Sequence, residues 1–147
     1  MGAYFTFSNS RILCVDDNGH TCDWIQKTLK ASKNDVVITN AKTAREAFTL
    51  LNQDDFDLCI LEYALPDMTG VQLCSLMRQM GCEVPMLFFT AMNRPIDREK
   101  AQTAGANEYL SKPDDLDIFV NAVTRLLSKH YSIHAENTRL EAWPKAA

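Results

Sequence analysis

Apolar residues come along this chain in two alternating kinds of block. Short runs without polar alternation fall at residues 11–15, 58–61 and 85–90, with briefer β-branched or mixed runs at 35–39 and 108–111. Unbroken apolar runs suit strands of a parallel sheet that is covered on both faces. Between them the apolar positions change to helical spacing. Cys22, Ile25 and Leu29 mark a first helix, with Asn18 placed to cap it, and Ala44, Ala47, Phe48 and Leu51 mark a second. Leu73, Leu76, Met77 and Met80 mark a third helix, and residues 95–104 a weakly patterned fourth. Leu116, Phe119, Val120, Val123, Leu126 and Leu127 form the most complete stripe of all. Each stripe is read as facing a core.

Five strands alternating with five helices predict an α/β fold, a doubly wound parallel sheet with right-handed crossovers. The flavodoxin-like strand order 2-1-3-4-5 is the expected choice, and it makes the first and third strands neighbours at the switch point. Asp16 and Asp17 would then meet Glu62 at the carboxyl end of the sheet. Thr90 would stand beside them at the end of strand four, and Lys112 just after strand five. Alone, Glu62 would be a solvated carboxylate that ends a strand; its company turns it into a candidate site. Pro66, Asp67 and Gly70 supply turn chemistry before a helical pattern resumes at Val71.

Composition narrows the class. A length of 147 residues gives room for one well-packed domain. The 46% apolar and 23% charged fractions are ordinary for a soluble globular protein, and a net charge of -4 argues against a nucleic-acid surface. No apolar run approaches a membrane span. Residues 1–10 lack the features of a signal peptide and are read as a leader, so a cytoplasmic location is expected. The five cysteines are odd in number and form no Cys-x-x-Cys pair, and Cys14 and Cys59 lie inside apolar runs. Cys22, Cys74 and Cys82 show no zinc-ligand pattern, so reduced, mostly buried thiols are expected. The domain is taken as 11–129. Residues 130–147 are compatible with a helical extension, a linker or a disordered tail. His20, His130 and His134 show no catalytic pairing, and surface or capping roles are expected for them.

Three carboxylates converging on one point repel one another, and a hard divalent cation would relieve that. The motifs around them are specific. Leu13-Cys-Val-Asp16-Asp17-Asn18, Leu61-Glu62-Tyr-Ala-Leu-Pro66-Asp67-Met-Thr-Gly70, Phe89-Thr90-Ala91 and Tyr109-Leu-Ser-Lys112-Pro113 occur in this order across nearly the whole chain. Together they resemble the CheY-like receiver domain of response regulators in two-component, phosphorelay signalling.

The resemblance implies a magnesium ion held by Asp17, the residue at position 62 and the backbone carbonyl of Ala64, with Asp16 acting through water. It implies an acyl phosphate formed at position 62 by attack on a phosphohistidine of a sensor histidine kinase or phosphotransfer protein. Lys112 would pair with a phosphoryl oxygen and Thr90 would donate a hydrogen bond to another, beside the small Ala91. Lys112-Pro113 would be a cis peptide. Tyr109 would be the aromatic switch residue, turning inward as Thr90 moves towards the phosphoryl group. Output would pass to a downstream protein or a second copy across the face of the fourth helix, fifth strand and fifth helix, where Arg98, Lys100 and Arg125 could meet acidic residues. Such a domain is not itself an enzyme and contacts neither nucleic acid nor membrane.

One departure outweighs the matches: the family has aspartate where this chain has Glu62. The added methylene advances the carboxylate by about 1.5 Å. A displacement of about 1 Å can cost on the order of a hundredfold in an oriented reaction. The same displacement carries negative charge towards the phosphoryl position, within reach of Lys112 or Thr90. That would imitate the signal in part, since a carboxylate has one charge and a phosphoryl group nearer two. The sequence permits Glu62 to be native or introduced into an aspartate-bearing parent. Asp114 and Asp115 replace a customary apolar residue and are expected to cap the last helix. Met92 and Ala64 stand where the family tunes phosphoryl lifetime. A receiver that acts as a phosphorylation-independent docking module is the runner-up. A magnesium-dependent phosphatase would want Asp-x-Asp rather than the adjacent Asp16-Asp17. A flavin binder would want a richer phosphate loop than Asn18-Gly19-His20.

Overall fold

The computed structural model describes residues 9–142, with side chains described through residue 133. Its elements run β1 (Ser10–Val15), α1 (Gly19–Ala31), β2 (Val36–Ala41), α2 (Ala44–Gln53), β3 (Leu58–Leu61) and α3 (Gly70–Gln79). They continue with β4 (Met86–Thr90), α4 (Pro95–Ala104), β5 (Glu108–Ser111), a 3-10 turn (Leu116–Ile118) and α5 (Phe119–Ala142). All strands are parallel, in the order β2-β1-β3-β4-β5. This is the α/β architecture and strand order that the pattern predicts.

Period-two geometry explains why the strands read as unbroken apolar runs. Leu13 and Val15 of β1, Cys59 and Leu61 of β3, and Met86 and Phe88 of β4 point to one side, where α2, α3 and α4 cover them. Ile12, Cys14, Leu58, Ile60, Leu87, Phe89 and Leu110 point to the other, against Ile25 and Leu29 of α1 and Phe119, Val123 and Leu127 of α5. Each residue of a central strand therefore enters one core or the other. Asn18 caps α1 by accepting from the His20 amide at 3.0 Å, as predicted. Thr69 and Gln72 form a reciprocal capping box on α3. All five cysteines are free thiols, with Cys14, Cys59 and Cys74 buried. Among the described residues no helix is long and apolar enough to cross a membrane.

Two expectations shift at the chain's end. Leu116 and Ile118 lie in the 3-10 turn and are exposed, so the helix proper starts only at Phe119. It then runs on past residue 129 to Ala142, in keeping with the helical extension among the readings of residues 130–147. His130 is not a surface residue. Its side chain is 13% exposed and its Nε2 lies 3.5 Å from Asp57 Oδ1, because α5 packs back over the start of the sheet. There Tyr131 and Ser10 also share a hydrogen bond of 3.0 Å. His134 has no described side chain.

The amino end of the sheet is closed by polar side chains bonded to backbone. Arg78 donates to the carbonyls of Cys82 (2.8 Å), Val84 (2.7 Å) and Gly105 (3.1 and 3.0 Å), and to Asn107 Oδ1 (2.8 Å). Asn107 Oδ1 also accepts the Met86 amide, and Asp57 accepts the Arg11 amide, each at 2.8 Å.

Candidate functional site

At the opposite end, strand register decides which side chains meet. Val15 pairs with Leu61, and Leu61 with Phe88, so Asp16 and Glu62 leave the sheet side by side with Thr90 two residues beyond Phe88. The Glu62 amide still donates to the Val15 carbonyl at 2.9 Å, which extends the ladder to the site itself. Beyond it the chain turns back sharply. The Gly70 amide bonds Tyr63 at 2.7 Å, and Ala64 bridges Thr69. A Cβ at residue 70 would overlap the carbonyl oxygen of Glu62, so this turn requires glycine. Asp67 ties the same loop to α2 by accepting the Ala44 and Arg45 amides at 2.9 Å each. Those bonds hold its carboxyl below the usual carboxylate range.

Lys112 follows β5, its amide bonded to the Thr90 carbonyl at 2.8 Å and its peptide to Pro113 cis. Its ammonium lies 3.1 Å from Glu62 Oε2, 3.3 Å from Asp16 Oδ2 and 3.4 Å from Thr21 Oγ1, over the Phe89 ring at 5.1 Å. Glu62 Oε1 accepts both the Tyr63 amide, at 2.9 Å, and the hydroxyl of the fully buried Thr90. From Thr90 the hydrogen bonds continue. Its Oγ1 accepts the Met92 amide at 3.2 Å, and the Met92 carbonyl accepts the Tyr109 hydroxyl at 2.5 Å. Tyr109 is half-buried, stacked on Phe88 at 5.7 Å and covered by the Arg98 guanidinium at 4.9 Å. Burial, and next to it the negative charge of Asp97, pushes its hydroxyl up to about 12.

Asp16, Glu62, Thr90 and Lys112 therefore converge, and Tyr109 joins them through the Met92 backbone. Asp16 is buried and accepts the Asn18 amide at 2.8 Å, whereas Asp17 and Ala64 stand exposed at the rim. Among the described residues no three acidic, histidine or cysteine side chains gather as a metal-holding group. The donors expected from sequence, Asp16, Asp17, Glu62 and the Ala64 carbonyl, do not fit a shared magnesium ion in this arrangement. The longer side chain at position 62 sends its oxygens to Thr90, Tyr63 and Lys112, and Lys112 also faces Asp16.

Other expectations change for similar reasons. Asp115 is not a side-chain helix cap; it accepts the Ser111 amide at 2.8 Å and faces Arg98 at 3.6 Å. Arg98 remains exposed on the α4–β5–α5 face, and it donates to Ser111 Oγ at 2.8 Å and the Tyr109 carbonyl at 3.2 Å. Arg125 pairs with Glu108 at 2.8 Å, and Lys100 is exposed. The bridging backbone of Met92 and the loop tie at Asp67 escape a reading by residue type. Only the Thr-x-x-Gln spacing at 69–72 signals its local structure in advance.

Comparison with known proteins agrees with this fold. The family model described as the response regulator receiver domain matches residues 12–124. The transcriptional regulatory protein HprR of Escherichia coli is 33% identical over 131 residues, which cover 89% of this chain and 56% of that protein. PcoR, a transcriptional regulatory protein also from Escherichia coli, is 34% identical over 119 residues, 81% of this chain and 52% of PcoR. The chain thus spans about half the length of these curated relatives. Among solved structures, the non-phosphorylated HemR receiver domain of Leptospira biflexa superposes with a TM-score of 0.71 at 31% identity, covering 82% of this chain and 95% of that one. The receiver domain of a LuxO-type repressor from Vibrio parahaemolyticus reaches a TM-score of 0.78 at 23% identity, over 86% and 96% of the two chains.

Proposed function

This chain belongs to the response regulator receiver domain family, and on that premise we propose that it is a receiver whose switch is held inward by its own Glu62 rather than by a phosphoryl group. Response regulators act between a histidine kinase and a downstream target. Here Glu62 stands at the position where the family accepts the phosphoryl group. What carries the reading is the unbroken relay Glu62–Thr90–Met92–Tyr109. Thr90 donates its hydroxyl to a carboxylate that reaches forward by one methylene. The Met92 backbone passes that position on, and Tyr109 is drawn in over Phe88. Lys112, the family's phosphoryl-pairing cation, already pairs with Glu62.

Phosphotransfer to Glu62 is correspondingly impaired. Both of its oxygens are engaged, and a nucleophile that accepts hydrogen bonds from a hydroxyl, an amide and an ammonium has its lone pairs and charge occupied. The domain acts through contacts and not by turnover, on a partner or second copy at the α4–β5–α5 face beside Tyr109.

Intact mass after incubation with magnesium and a small acyl-phosphate donor tests this, run beside Glu62→Asp. The expected result is a phosphoryl adduct on the aspartate variant alone. In the same pair, the Tyr109 ring resonances should report a turned-in ring before any donor is added only where glutamate is present. An adduct mapped to Glu62 in the unchanged chain overturns the reading.

A further inference from the structure

We propose that Lys112 is the resident counter-ion of the acidic pocket, so that the chain binds Mg2+ or Mn2+ only weakly. The inference rests on the assignment of Glu62 given above and extends it to the ligand of the same site. An ammonium has three protons to donate. Lys112 has three oxygen partners inside the pocket, on Glu62, Asp16 and Thr21, and the Phe89 ring beneath it favours a cation at that spot.

The acids are answered in turn. Glu62 has a partner on each oxygen, and Asp16 has the Asn18 amide on one and Lys112 on the other. What remains for a hard divalent ion is the exposed carboxylate of Asp17 and the backbone of Ala64 at the rim. That ion would also stand close to a fixed positive charge. Mg2+ is content with one or two carboxylates and several waters, but it gives up hydration reluctantly and gains little beside a cation. The methylene that carries Glu62 onto Thr90 thus also takes it out of the ligand set.

Mn2+ titration, followed by water-proton relaxation and competed with Mg2+, tests the inference on the full chain, Glu62→Asp and Lys112→Met. Thermal unfolding of each protein confirms that it is folded. Glu62→Asp draws the carboxylate back from Thr90 towards Asp16 and should tighten Mn2+ at least about tenfold. Lys112→Met keeps the apolar stem and removes the charge, and it should also tighten Mn2+ at least about tenfold. Equal Mn2+ affinity in the unchanged chain and Glu62→Asp overturns the proposal, and so does an unchanged affinity in Lys112→Met. Tyr109 resonances recorded with chelator in the same samples separate the two readings. Tight Mn2+ binding with Tyr109 still turned in removes the counter-ion and leaves the switch. Weak Mn2+ binding with Tyr109 turned out removes the switch and leaves the counter-ion.

Discussion

The two ends of the sheet use similar chemistry to opposite effect. At the amino end the Arg78 guanidinium donates mostly to backbone carbonyls, those of Cys82, Val84 and Gly105. At the carboxyl end the Lys112 ammonium donates to side chains, Glu62, Asp16 and Thr21. Backbone acceptors are fixed by the strands and helices that carry them, so the Arg78 cluster has one arrangement. Side-chain acceptors can change rotamer and partner, so the Lys112 cluster can have two. The two ends thus differ in how firmly their acceptors are fixed.

Substitutions at each end should break this contrast unequally. Arg78→Ala leaves several carbonyls without donors and should cost about 3 kcal/mol in chemical denaturation. The folded fraction should keep its Tyr109 ring signal, because the hydrogen bonds of the guanidinium go to Cys82, Val84, Gly105 and Asn107 and none to Tyr109 or Met92. Glu62→Gln should cost less, about 2 kcal/mol, as one charge-assisted contact weakens. Its main effect should be on Tyr109, whose resonances should shift as the relay loses its anchor. The comparison fails if Arg78→Ala moves Tyr109 as far as Glu62→Gln does.

Smaller effects sharpen it. Tyr109→Phe removes a single hydrogen bond to the Met92 carbonyl and should cost about 1 kcal/mol. Burial pushes the Tyr109 hydroxyl up to about 12 from an ordinary value of 10. Its contribution is therefore complete below pH 10 and is lost as pH rises towards 12, because the unfolded chain releases its proton first. Alkaline unfolding of Tyr109→Phe should lack that part of the slope. Asp67 behaves in the opposite sense. Its carboxyl is held low by two α2 amides, so its contribution is present above the ordinary value of 3.8 and fades as pH falls below it. Asp67→Asn should flatten the acid limb of a circular-dichroism titration slightly, with no change at neutral pH in Tyr109.

Much of this was legible in the sequence, and the reason is topological. Asp16, Glu62, Thr90 and Lys112 each sit at or just beyond the end of a strand. Once the order 2-1-3-4-5 is assumed, the sheet alone brings them together. Glu62 was also readable as able to reach Lys112 or Thr90, since one methylene sets the displacement. The amino end was not readable in this way. Arg78 looks like a basic residue in the last turn of an amphipathic helix, and its acceptors are carbonyls, which no sequence pattern marks. His130 looked like a surface residue because the segment after it mixes charges with isolated apolar residues. Its burial follows from α5 packing back against Asp57, a contact between distant parts of the chain. Asp115 escaped for the same reason: expected to cap the last helix, it instead accepts the Ser111 amide and faces Arg98 across the β5 turn.

Gly70 has a consequence for how a signal can leave the pocket. Its Cα lies against the carbonyl of Glu62, and Asp67 moors the intervening loop to α2. The β3 side of the pocket is thus an anvil, braced from behind where the carboxylate gains or loses a partner. Any push generated at position 62 must be taken up across the pocket by Thr90 and the chain that follows it. Bracing on one wall gives the message its direction.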